Sequence, residues 1–274
     1  MFGGVIHRIR EIFNRHYGVL PFTQLQPTLE SWLRSNLWHG LMQEERKCLD
    51  QALSCLFGYH LLELSVSSHF DLSSHSRINH RFRLSPMGTQ TDDSHIVLLS
   101  EFDRVPLASE TIDVAILHHV LEYAERPHQL LREASRVVIP RGHVVIISFN
   151  PLSSIGLYKP FARYLGRRLH WRFHSLRLRR VIDWLRLLDF EPINVVQGFY
   201  RPPVQQPGLI KHLSWLETWG RKLHLPFGGF YLIVARKDVV PLTPVKPHWQ
   251  ELKTLSGLSV SKSSPRVSDF IKAR

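Results

Sequence analysis

The sequence predicts a doubly wound α/β domain built on a mostly parallel sheet. Two apolar runs and the helix between them carry that prediction. Thr111 to Leu117 is interrupted only by Asp113, as expected of a strand buried on both faces. Val144 to Phe149 is a second such run. Arg126 to Val138 between them has helical amphipathic spacing, with Pro127 near its first turn. Strand, helix, strand is a βαβ unit, and such crossovers are right-handed.

The other elements follow in order. Val5, Ile6, Ile9, Ile12 and Phe13 fall at helical spacing, with arginines on other faces. Glu30 to Phe57 reads as a helix, and Gly58 as its stop. Tyr59 to Ser65 is a strand. A polar stretch rich in Ser and His runs from Ser67 to His80. Arg81 to Leu84 and Ile96 to Leu99 are short strands. Pro140 and Gly142 break the chain after the central helix. A basic, partly helical insertion reaches from Asn150-Pro151 to about Phe173. A helix over Ser175 to Leu188, a strand over Pro192 to Gln197, a helix over Leu209 to Trp219 and a last strand over Phe230 to Ala235 complete the domain. The organisation is a helical extension over 1–57, a domain over 58–237 with the basic insertion at about 152–173, and a basic tail over 238–274. That tail carries Pro241, Pro244, Pro247 and Pro265 and too little apolar surface to order itself.

With 274 residues, 43% of them hydrophobic, the chain can bury a core without disulfide or metal staples. Its two cysteines, Cys48 and Cys55, would lie two turns apart on one helix face, as buried core thiols. No His or Cys completes a metal-ligand spacing beside them, so no metal site is expected. Met1 to Gly18 lacks the apolar stretch and cleavage site of an export signal, and no run reaches the roughly 18 apolar residues of a membrane span. The expectation is a cytoplasmic protein. The net charge of +12 favours contact with nucleic acid, a membrane surface or an acidic substrate, unless it only solvates flexible segments.

The stretch from Val105 to Pro151 holds a set of familiar features. They are Pro106-Leu107, Ile112-Asp113, Val120-Leu121-Glu122, Leu130-Leu131-Arg132-Glu133 and the Pro140/Gly142 turn. With the late helix at Ser175 and the strand ending in Lys237, this set resembles the class I S-adenosylmethionine-dependent methyltransferases of the type 11 family. The resemblance covers about Gly58 to Lys237. Tyr59–Leu64 and the segment from Ser148 to Leu157 resemble the YafS-like branch. The family implies a Rossmann-like, seven-stranded sheet with a final antiparallel strand. It also implies S-adenosylmethionine as cofactor and a methyl acceptor, here unidentified.

Sheets of this kind bind ligands beyond the carboxyl ends of their strands. There, Glu63 matches the acidic position of the family's first motif. Ser65, Ser67 and His69 stand where glycines are usual. Glycine suits a loop that must approach a ligand closely or adopt positive φ. The replacing side chains either fill the cofactor's space or, through the Ser65 and Ser67 hydroxyls, donate to its carboxylate. The second strand ends in Ser85-Pro86, without the carboxylate that grips ribose. Glu101 and Phe102 align with the acid and apolar neighbour that the resemblance puts at the adenine. His118 and His119 follow the fourth strand, where the family's transferred methyl group lies. A histidine there is either a base for the acceptor or a structural residue. Glu122 resembles a position that packs or caps near the site. Arg163, Arg167, Arg168 and Arg172, followed by Arg177, Arg179 and Arg180, accompany aromatic residues and suit an anionic partner, or else form a solvated face. Two functions remain open: a methyltransferase, or a catalytically inactive module that kept the fold and binds a protein, nucleic acid or membrane surface.

Overall fold

The computed structural model describes residues 29, 31–66, 71–86, 96–99, 104–157, 173–201, 220, 222 and 225–238. All of these belong to the unit Met1–Val239, whereas the unit Val240–Arg274 lies outside the described residues. Also outside them are the expected N-terminal helix, the loop carrying Ser67 and His69, Glu101 and Phe102, the insertion over 158–172 and the helix over 209–219.

Seven strands form one sheet: β1 (His60–Ser65), β2 (His80–Pro86), β3 (Ile96–Leu99), β4 (Ile112–His118), β5 (Val138–Phe149), β6 (Phe190–Gly198) and β7 (Phe230–Lys237). Their order is β3-β2-β1-β4-β5-β7-β6. The first five are parallel, while β7 runs antiparallel to both β5 and β6. The β1/β4 pair is where the strand order reverses, and a crevice for ligands opens at such a point. Helices beside the sheet include α1 (Asn36–Ser54), α2 (Val120–Tyr123), α3 (Pro127–Val137) and α4 (Leu178–Leu187).

The apolar runs do what their composition predicts. Every residue of β4 except Asp113 is buried. Leu61, Leu62 and Leu64 of β1 join Ile116, Ile146 and Ile233 in the same core. Each such side chain contributes about 1.5–3 kcal/mol by leaving water. Asp113 is the exception because it has polar work: its Oδ2 accepts from the amides of Tyr59 and His60, both at 2.9 Å.

That contact revises the reading of Gly58. The helix ends at Ser54 with Cys55 as its cap, not at Gly58. Gly58 is small because a Cβ there would stand 2.3 Å from the Asp113 Cβ. The cysteines need a correction too. Cys48 is buried, but Cys55, displaced onto the cap, is exposed. Pro140 and Gly142 do not separate helix from strand. The strand begins at Val138, and the segment between Val138 and His143 bulges out of register with β4, with Arg141 at φ 66°.

α1 belongs to the same core as the sheet. Ser35 caps it by accepting from the Trp38 amide at 3.3 Å. Trp38, Leu41, Leu49 and Leu53 recur at helical spacing and are fully buried against the strands. The loop before β4 is held by Arg136 of α3, whose guanidinium donates to the Val105 and Leu107 carbonyls and pairs with Glu133 at 2.9 Å.

Candidate functional site at the end of strands β1 and β4

Glu45 on α1 and Glu63 on β1 are both buried here, and their surroundings differ. Glu45 sits inside the apolar stripe of α1, between Leu41 and Leu49, with 0% of its surface exposed. A carboxylate on such a face needs partners. They come from the end of β4. Glu45 Oε2 accepts from His118 Nε2 at 3.1 Å, and Oε1 from His119 Nε2 at 3.0 Å. Both imidazoles are also 0% exposed.

The chain turns sharply to achieve this. His118 ends the strand, in register with Ser65 of β1. His119 then adopts φ 55°, a left-handed conformation that histidine tolerates better than branched residues. The outer ring nitrogens are also taken. Ser65 Oγ lies 2.8 Å from His118 Nδ1, and Glu122 Oε1 lies 3.0 Å from His119 Nδ1. The Phe149 amide donates to the same Glu122 oxygen at 2.6 Å. Phe149 stacks on His119 with ring centroids 4.1 Å apart, and Trp38 covers both imidazoles.

The network fixes the protons. Burial opposes a charge on His119, but the Glu45 and Glu122 carboxylates outweigh it and hold the imidazolium up to about 10. Burial likewise opposes the Glu45 charge, yet His119 and the bonds from both histidines keep that carboxyl down at about 2. His118 is pushed down by burial and by the neighbouring His119 cation. A neutral His118 donates through Nε2 to Glu45 and accepts the Ser65 hydroxyl at Nδ1.

Glu63 presents the opposite case. It lies on β1 with 2% exposure. Its Oε1 faces Arg83 Nε of β2 at 3.6 Å. Its Oε2 is buried and has no hydrogen-bond partner among the described residues. Burial pushes this carboxyl up, against the pull of Arg83 and the Ser73 hydroxyl.

Among the sequence-predicted residues, Ser65 and His118 meet, His119 joins them through Glu45, and Glu63, on the same strand as Ser65, faces Arg83 instead. Ser65 turns its hydroxyl to His118. The arginines of α4 and its cap, Arg177, Arg179 and Arg180, are exposed on the surface, and Arg180 lies over Trp184 at 5.5 Å. Ser67, Glu101, Phe102, Arg163, Arg167, Arg168 and Arg172 lie outside the described residues. Glu45 escaped the sequence reading. Its signal was present: an acid in a stripe otherwise made of Trp38, Leu41, Leu49 and Leu53.

A parallel sheet in this order, with an antiparallel strand slotted between the fifth and sixth, defines the S-adenosylmethionine-dependent methyltransferase fold. A solved S-adenosylmethionine-dependent methyltransferase from Thermotoga maritima superposes with a TM-score of 0.59 at 16% identity, covering 80% of this chain and 100% of that one. Residues 58–146 match the methyltransferase domain family. The chain belongs to that family, on the branch of YafS. With the uncharacterized protein YafS of Escherichia coli (strain K12) it shares 31% identity over 240 residues, 83% of this chain and 86% of that protein. No helix among the described residues is long and apolar enough to cross a membrane.

Proposed function

We propose that the protein transfers a methyl group from S-adenosylmethionine to an acceptor not yet identified. The observation that supports this reading is Glu63, a buried acid at the strand-order reversal whose Oε2 has no hydrogen-bond partner among the described residues, although Ser73 and Leu72 pull its carboxyl down. An acceptor left unsatisfied in a dry site costs about 1–3 kcal/mol, which a donor on a ligand recovers. The cofactor's ammonium or hydroxyl groups supply such donors, so Glu63 fits the group. Ser65 supports the same reading. With its hydroxyl drawn to His118, this replacement for a family glycine need not fill the crevice. In this proposal Ser67 donates to the cofactor's carboxylate, while Glu101 and Phe102 receive its adenine.

The cofactor, when bound, supplies a sulfonium-activated methyl group. The chain's task is to align the acceptor with it and to exclude water. His118 and His119, which the resemblance puts near the transferred methyl group as base candidates, instead hold α1 against the end of β4 in this scheme. All their ring nitrogens are engaged in the core, so neither takes a proton from an acceptor in this arrangement. Both cysteines are free thiols, which suits a reducing compartment such as the cytoplasm.

Calorimetry with S-adenosylhomocysteine tests the reading. Binding is expected, and Glu63→Ala should weaken it at least ~10-fold, the equivalent of one lost charged hydrogen bond. No binding at millimolar ligand would favour the inactive module instead. That second reading has one observation in its favour: the exposed Arg177, Arg179 and Arg180. Affinity for RNA or anionic vesicles that stays flat across salt concentration would remove it.

A further inference from the structure

We propose that Glu45, His118 and His119 form a divalent transition-metal site, suited to zinc, that staples α1 to the end of β4. This goes beyond the methyltransferase reading and does not rest on it.

The convergence of ligand atoms is the first ground. One ligand atom from each of the three residues lies within 4.8 Å of the others. The two carboxylate–imidazole spacings are 3.1 and 3.0 Å. Ligands bound at about 2.0–2.2 Å around one zinc ion stand roughly 3–3.4 Å apart, so these two spacings suit it, and the two imidazole nitrogens, within 4.8 Å of each other, would draw together on the ion.

The outer shell is the second ground. A metal-bound histidine commonly gives its other ring N–H to a carboxylate or another acceptor, which orients the ring. His119 has that arrangement, and His118 gains it when its proton moves from Nε2 to Nδ1 on metal binding, so that Nδ1 donates to Ser65 Oγ. His119 Nδ1 faces Glu122, and His118 Nδ1 faces the Ser65 hydroxyl. Glu122 is fixed in turn by the Phe149 amide. Both Nε2 atoms therefore point at Glu45.

Charge is the third ground. Two carboxylates and two imidazoles share a space closed to solvent. A divalent ion on neutral imidazoles cancels both carboxylates and displaces the His119 proton as it binds. Two imidazoles with one carboxylate suit zinc, and Glu45 can bind through both oxygens to complete four-coordination. The enclosure leaves no open position for a substrate, so the role is structural. A hydrogen-bonded ion network without metal has the same distances, and metal content separates the two.

The full chain, purified without chelators or metal-affinity resin, should carry about one zinc per chain by plasma mass spectrometry. Unfolded, stripped and refolded with cobalt(II), it should show the visible absorption of a four-coordinate site. His118→Gln and Glu45→Gln should each cut the bound metal below about a tenth of an equivalent, with Glu63→Gln as a control that keeps it. Another first-row divalent ion held by the same three residues upholds the site. Folded wild-type protein with less than about a tenth of an equivalent of any such ion, both as purified and after refolding in excess zinc, would overturn it. So would full metal content in folded His118→Gln and Glu45→Gln. If those variants do not fold, the wild-type measurement decides.

Discussion

Glu45 on α1 and Glu63 on β1 are both buried carboxylates, yet they belong to different kinds of region. Glu45 has a partner for each oxygen, and its carboxyl is held at about 2. Glu63 has one oxygen toward Arg83, feels the Ser73 hydroxyl, and has an Oε2 with no hydrogen-bond partner among the described residues; burial pushes its carboxyl up. Glu45 itself is satisfied and serves the fold, while in its network Glu122 Oε2 lacks a hydrogen-bond partner among the described residues. The Glu63 side is incomplete, and the missing donor is what the methyltransferase reading supplies.

The comparison breaks most clearly at Glu45. Glu45→Ala removes the shared partner of both buried imidazoles, with or without a bound ion, and should cost about 3–5 kcal/mol in urea unfolding, the scale for removing one partner of a buried pair. A loss under about 1 kcal/mol would mean that Glu45 is no better satisfied than Glu63.

Glu63 should behave in the reverse sense. Its raised folded value means that ionising it in the native state carries a penalty absent from the unfolded chain. That part of stability is present at acid pH and lost as pH rises from the unfolded value of 4.5 through the folded one. Glu63→Gln should abolish this loss, so the variant's urea midpoint relative to wild type should rise between pH 4.5 and pH 7. A relative midpoint that falls over that interval would contradict the assignment.

Ser65 gives the smallest effect and sharpens the boundary between the regions. Ser65→Ala removes the hydroxyl from His118 and should cost about 1 kcal/mol of stability. Affinity for S-adenosylhomocysteine should stay within about twofold, because the hydroxyl serves the core. A tenfold loss would move Ser65 to the ligand side.

Much of this was legible in the sequence, and the remainder failed for physical reasons. β4, α3 and the later half of β5 follow from uninterrupted apolar runs and helical spacing, which local chemistry determines. Gly58 misled because a glycine after a helix also fits a close approach, and its constraint comes from Asp113, far along the chain. The Pro140–Gly142 break was visible, but a bulge and a turn use the same residues. His118 and His119 stood out by position, and the chemistry suggested by position was substrate-facing. Their carboxylate lies 73 and 74 residues earlier, on a helix whose periodicity signals only burial. Pattern identifies which face is inside; it does not say which buried groups meet.

The placement of β7 constrains how the chain assembles. Among the described residues β6 has no bond to β5 and reaches the sheet through β7, the last of the described strands. Until Phe230–Lys237 leaves the ribosome, β5 offers a bare edge and β6 has no neighbour to pair with. The half-made sheet is then open to pairing with other chains. Any truncation upstream of Phe230 would make that aggregation-prone interval permanent.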